Sequence, residues 1–328
     1  MNHSFDAYVA AALFPRKGSG TISEPIFALG DGAVHFPDRQ TVQAHDGVVL
    51  CAAPHPSGEG IVTGGDDGRV VWSRPSHAEE IAHLKGKWID ALDTSTESGL
   101  IAFASGRDVR VRDTKDPAFD HAFRHERSVA AVAFDPKGRR VAAASYGGVL
   151  LWYAMIAEQK PQLLKWAGSH IGVVFSPDGR FLLSAMQENA LHGWRLADAK
   201  DMRMGGYPAK PKSFAFLAKG ALFATAGANG AVVWPFAGAN GPMGKEAVEI
   251  GHEESALVTR IAAHPTGFRL CAGLDDGRIW TADLQNRGVT FIKAEKGAAI
   301  TALALSADGG RIAWGAEDGA AGVVGLDR

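Results

Sequence analysis

Val62-Thr63-Gly64-Gly65-Asp66-Asp67-Gly68-Arg69-Val70-Val71-Trp72 sets two short apolar runs on either side of an Asp-Gly turn. Asp-Gly supplies the positive-φ residue that matches the twist of paired antiparallel strands, so the stretch reads as a β-hairpin. A third run, 48–53, precedes it. The same three runs recur at 128–134, 141–145 and 149–152, with Asp135-Pro136-Lys137-Gly138 as the first turn and Gly147-Gly148 as the second. They recur again around Phe175-Ser176-Pro177-Asp178-Gly179, with runs at 181–186 and 191–194. The runs are short and rich in Val, Leu, Phe and Trp, which favours strands over helices.

Eight turns of the hairpin type follow one another along the chain. They are Gly30-Asp31-Gly32, Asp66-Asp67-Gly68, Gly106-Arg107-Asp108, Tyr146-Gly147-Gly148, Glu188-Asn189, Asn229-Gly230, Asp275-Asp276-Gly277 and Glu317-Asp318-Gly319. Gly32 and Gly319 lie 287 residues apart across seven intervals, a period of 41 that falls in the range of propeller blades. A fourth, more polar run closes each unit, as in Gln162-Leu163-Leu164-Lys165-Trp166 and Val289-Thr290-Phe291-Ile292. Polar outer strands protect a sheet edge from foreign pairing. The expected fold is therefore all-β: one β-propeller domain over 1–328, built of four-stranded antiparallel blades. Its units fall near 1–44, 45–86, 87–126, 127–168, 169–208, 209–251, 252–297 and 298–328. The first unit runs through residues 8–13 and Phe14-Pro15-Arg16-Lys17-Gly18. The last stops after its third strand at Val323-Val324-Gly325-Leu326, leaving residues 1–5 to supply the fourth. Eight blades closed by the N-terminal strand are expected, with seven as the alternative.

The turns Phe175-Ser176-Pro177-Asp178-Gly179 and Ala133-Phe134-Asp135-Pro136-Lys137-Gly138, with the hairpin at 62–72, resemble those of WD-repeat (WD40) β-propellers. The resemblance spans essentially the whole chain but is divergent. No Trp-Asp dipeptide occurs; the third strands end in Trp72-Ser73, Trp152-Tyr153, Trp194-Arg195, Trp234-Pro235 and Trp280-Thr281. Gly251-His252 is the one Gly-His pair, with Ala44-His45, Arg124-His125 and Ser169-His170 in related places. The resemblance implies that the family's buried Asp-His-Ser-Trp network is mostly broken here, leaving the blades to rest on packing. Seven-bladed rings are the commoner form in the family.

Composition narrows the function classes. Of 328 residues 40 are Gly, about 12% and well above ordinary usage, in keeping with many tight turns. A net charge of −2 without a long basic run gives no electrostatic footprint for nucleic acid or a membrane surface. No apolar stretch approaches a membrane span, and two cysteines cannot make a disulfide framework. A soluble, cytoplasmic monomer is expected.

Comparison of the units exposes the candidate site residues. Asp66, Asp67, Asp275, Asp276, Glu317 and Asp318 are doubled acids on the hairpin turns. They serve the turns themselves or form a rim that attracts a basic segment of a partner. Arg260 stands where the other units carry Ala11, Cys51, Ala91, Ala131, Gly172, Ser213 and Ala302. Such a charge needs an acceptor: an anion in the central channel, or a salt bridge to Glu253 or Glu254. Trp88 precedes the strand at 89–92 and is either an anchor for a bound peptide at the channel mouth or a core cap. His170 joins this partner-binding set. His55-Pro56 and His264-Pro265 occupy equivalent turns, but no metal-ligating spacing occurs, and no metal or cofactor is expected. Neither a GxSxG elbow nor a P-loop is present. The expected function is a non-enzymatic scaffold that binds a protein or peptide, of basic character, on the hairpin face and channel mouth. The alternatives are a small-ligand or hydrolytic site near Arg260, and metal handling through the histidines.

Overall fold

The computed structural model describes residues 2–15, 24–37, 40–286 and 288–326. The turn expected at Phe14-Pro15-Arg16-Lys17-Gly18 lies partly outside these residues. The fold is an all-β propeller of four-stranded antiparallel blades, and among the described residues no helix is long and apolar enough to cross a membrane. At the founding hairpin, Ile61–Gly65 pairs with Arg69–Arg74, and Gly68 has φ +81°. A Cβ on Gly68 would lie 2.3 Å from the Leu84 carbonyl oxygen, so both dihedral and space require glycine.

The strands form seven hydrogen-bonded sheets, which corrects the expectation of eight separate blades. Six sheets have four strands; the seventh has six and holds the sequence units 127–168 and 169–208 together. The reason is local. Arg140–Tyr153 is a continuous extended segment of 14 residues that doubles back at Gly147 and Gly148, bringing the Ala154 N–H to the Arg139 carbonyl at 2.9 Å. Gln162–Phe175, also of 14 residues, pairs with that strand through its first half and with Phe181–Met186 through its second. No loop interrupts it, so two sequence units share one sheet. At the chain ends, Asn2–Ser4 pairs antiparallel with Ala320–Gly325.

The strands nearest the axis are Val9–Leu13, Val49–Pro54, Ala91–Ser95, Val129–Phe134, the 170–175 half of Gln162–Phe175, Phe214–Leu217, Val258–Ala263 and Ile300–Leu305. Each touches the next in sequence order, and the last touches the first, where the Thr301 hydroxyl donates to the Val9 carbonyl at 2.7 Å. Six of them carry a bulge at the same place, between Val9 and Ala11, Val49 and Cys51, Val129 and Ala131, His170 and Gly172, Val258 and Arg260, and Ile300 and Ala302. A bulge leaves one residue out of the ladder and re-aims its side chain. The apolar core is divided into wedges between adjoining sheets. One wedge gathers Ala91, Val109, Val111, Val132, Phe134 and Trp152.

Buried polar chains cross several units, more of them than the sequence implied. His45 bridges Asp67 (3.0 Å) and Thr63 (2.8 Å). Burial draws the His45 pKa below its ordinary value despite the Asp67 carboxylate, so the ring is neutral: Nδ1–H donates to Asp67 and Nε2 accepts from Thr63. In the unit after the fused sheet Tyr207 does the histidine's work. It bonds Thr225 at 2.7 Å and accepts from the Trp234 indole at 2.7 Å. Trp152 donates to His125 at 3.1 Å. These units thus keep polar cross-links, whereas the Trp280 indole N–H is buried without a hydrogen-bond partner among the described residues.

Asp93 latches two neighbouring inner strands by accepting the Phe134 N–H at 2.7 Å, and no cation pairs with it among the described residues. Burial pushes its carboxyl up to about 6. A folded-state pKa raised above the unfolded one means that its contribution to stability is full below about pH 4 and is lost as pH rises through about 6. Asp93→Asn keeps an acceptor for Phe134 and removes the titration. The melting temperature of the variant should therefore decline less between pH 4 and 6.5 than that of the unmodified chain, as thermal scans at half-unit pH steps will show.

Candidate functional site

Backbone hydrogen bonds fix which loops share a face. The N–H groups of Asp66, Gln187, Asp275 and Glu317, all in hairpin turns, donate to the carbonyls of Val48, Ser169, Leu257 and Ala299, each at the start of its unit's inner strand. Hairpin turns and inner-strand starts therefore lie together around the mouth of the channel.

The doubled acids divide their labour. The first acid accepts an N–H from the inner-strand start: Asp66 from Val48 at 2.7 Å and Asp275 from Leu257 at 2.9 Å. Glu188 does the same for Ser169 at 3.0 Å. The second acid closes the turn. Asp67 accepts from the N–H groups of Arg69 and Asp46, and Asp318 from Ala320 at 3.1 Å. Burial raises the Asp67 pKa, but the hydrogen bonds from His45, Arg69 and Asp46 outweigh it and hold the carboxyl below its ordinary value. Asp276 is neutralised by Arg278 at 2.9 Å, with Lys296 at 3.5 Å. Doubling thus has a structural use at 66–67 and 275–276, Asp318 alone closes the turn at 317–318, and the rim retains mainly the exposed Asp275, Glu317 and Asp318 as outward charge.

His170 does not reach this surface. It is fully buried, with Nδ1 on the Ser184 hydroxyl at 2.7 Å and Nε2 near the Trp166 carbonyl at 3.1 Å. Its place at an inner-strand start suggested exposure; the bulge after it turns the imidazole into the blade. The turn histidines are likewise structural. His55 stacks on the Trp72 ring at 3.8 Å, and burial brings its pKa down to about 4. His264 accepts the Gly267 N–H at 2.7 Å. Among the described residues no group of three or more His, Cys, Asp or Glu could hold a metal.

Trp88 is 65% exposed, the most exposed of the large apolar side chains described. Tyr146, in the hairpin turn of the next unit, is 60% exposed, with the Arg127 guanidinium 5.6 Å from its ring centre. Sequence reading missed Tyr146 as a site residue. The signal was present: an aromatic stands at a turn where the other units place Asp, Asn, Glu or Gly.

Between the inner strands lies a cavity of about 620 Å³. Arg260 lines it. Its Nε donates to the Thr301 carbonyl and its Nη1 to the Thr259 carbonyl at 3.0 Å, and no acid stands within ion-pair distance among the described residues. The bridge to Glu253 or Glu254 does not form, and Glu253 pairs with Arg278 at 2.9 Å. Burial lowers the Arg260 pKa from its ordinary value. Lys212 and Asp90 share the cavity wall. Sequence comparison of the units could have found Asp90. It precedes Ala91 where the bulged residues of other units are Ala10, Leu50, Ala130, Ile171, Thr259 and Thr301.

Residues 37–72 and 120–153 match the family model described as WD domain, G-beta repeat. A search of curated proteins finds no match. Many solved chains share the fold. One is the crystal structure of the computationally designed protein Ika8, 20% identical over 98% of each chain with a TM-score of 0.74. At that identity the likeness shows the fold alone.

The division between the acids gives a direct test. Asp66→Ala strands the Val48 N–H and should cost about 1–2 kcal/mol, whereas Glu317→Ala should change stability by less than about 0.5 kcal/mol. Urea titrations of the two variants will separate a structural acid from a surface one.

Proposed function

We propose that this chain is a non-enzymatic platform for a protein or peptide partner: two of its repeats match the WD-domain family model, and that fold generally serves as a protein-interaction scaffold. The observation that carries this reading is Trp88, a large indole held in solvent at the mouth of the channel. Exposing such an apolar area costs free energy that a partner recovers, and aromatic anchors dominate binding at interfaces. Tyr146 supplies a second anchor on the adjoining unit. The exposed Asp275, Glu317 and Asp318 favour a partner with a basic segment, while a rigid β scaffold keeps the ordering cost of binding low.

We also propose that the pairing of Asn2–Ser4 with Ala320–Gly325 closes the ring and so holds the face in shape. It supplies the fourth strand of the last blade and covers an edge.

Trp88→Ala combined with Glu317→Lys should reduce partner recovery in affinity purification from the native host at least tenfold and leave the melting temperature within about 2 °C. Undiminished recovery would place the binding surface elsewhere. Removal of residues 1–5 should lower the melting temperature by 5 °C or more. An unchanged temperature would show that the terminal pairing does not hold the ring.

A further inference from the structure

The axial cavity carries charges of opposite sign that make no ion pair among the described residues. Arg260 has five N–H donors. Two are spent on the carbonyls of Thr301 and Thr259, which fix the guanidinium plane and leave the others unbonded among the described residues. Lys212, in the segment just before the Phe214–Leu217 inner strand, lines the same cavity, and its ammonium makes no ion pair among the described residues. Asp90, next to the Ala91–Ser95 inner strand, lines it too, and among the described residues no cation stands within ion-pair distance of its carboxylate.

The order of the inner strands places these charges. Three inner strands separate Asp90 from Arg260 in one direction around the axis: Val129–Phe134, 170–175 and Phe214–Leu217. Three separate them in the other: Ile300–Leu305, Val9–Leu13 and Val49–Pro54. Asp90 and Arg260 therefore face each other across the channel, with Lys212 on the side of Arg260. The wall between them is partly apolar, formed by Leu50, Ala130 and Ile171.

We propose that the axial cavity binds a zwitterionic small molecule, with its carboxylate on Arg260 and Lys212 and its ammonium on Asp90. Unpaired charges in a recess of reduced dielectric are costly, and a ligand bearing both complementary charges relieves both walls at once. An aliphatic stem between the two charged ends would lie along Leu50, Ala130 and Ile171. Burial raises the Asp90 pKa above the ordinary aspartate value, which is the cost that an incoming ammonium would reverse. The site is separate from Trp88 and Tyr146, and it stands or falls without the partner-binding surface.

Calorimetric titration of the full chain with unbranched ω-amino carboxylates of three to eight carbons tests this directly, with n-alkyl carboxylates and n-alkylamines of equal length as controls. One length should bind at least tenfold more tightly than both of its singly charged analogues and raise the melting temperature. Asp90→Asn and Arg260→Gln should each remove that advantage. Asp90→Asn leaves the carbonyl contacts of Arg260 in place, so it separates loss of binding from loss of fold. Equal binding of alkyl carboxylates and zwitterions, binding unaffected by Asp90→Asn, or no binding across the series would each overturn the proposal.

Discussion

Close approach of neighbouring units around the axis, the second strand of one against the inner strand of the next, is the constraint on which this structure depends. Gly64 shows its severity. A Cβ there would stand 2.6 Å from an Ile89 side-chain carbon of the neighbouring unit and 2.8 Å from the Cys51 sulfur. At Gly273 the same hypothetical atom would meet Ile300 at 2.4 Å. Small residues at Ala11, Ala91, Ala131, Gly172 and Ala302 follow from the same crowding, and the repeated bulge gives six of the inner strands added twist that lets the sheets fan outward. Arg260 tolerates a place meant for a small side chain because its guanidinium leaves the crowded seam for the cavity, where two backbone carbonyls receive it.

Away from the seam, different residues do the same work in different units. His45 with Asp67 and Thr63, and Tyr207 with Thr225 and Trp234, do equivalent work with different donors. A buried polar group is costly only when it lacks a partner, so partners can be exchanged as long as each chain of hydrogen bonds is completed. This explains how the chain keeps the fold without a single Trp-Asp dipeptide.

The acids of the hairpin turns show how structural and functional readings of one residue type separate. Asp66 and Asp275 tie the turn to the inner strand beside it, and so hold the mouth of the channel in shape. Trp88, Tyr146, Lys212 and Asp90 have few ties of this sort, and they are the residues that face outward or into the cavity. A side chain released from structural duty at a place where its equivalents are small or serve the turn is the sign of a site in a repeat protein.

The sequence by itself determined the repeat, its period of 41 residues, the hairpin turns and the all-β propeller. Those features rest on local rules, namely strand-length apolar runs and turns that demand positive φ. It also singled out Arg260 and Trp88, because a repeat supplies its own internal comparison. Only the tertiary structure decided that two units share a single six-stranded sheet. That outcome depends on Gln162–Phe175 running on without a loop, so that its first half pairs within one unit and its second half within the next. Tertiary structure likewise turned His170 inward, gave the doubled acids their separate partners and set Asp90 opposite Arg260. These arrangements are set by how strands and turns pack once folded, and no local pattern encodes which way a side chain faces once a bulge has rotated it.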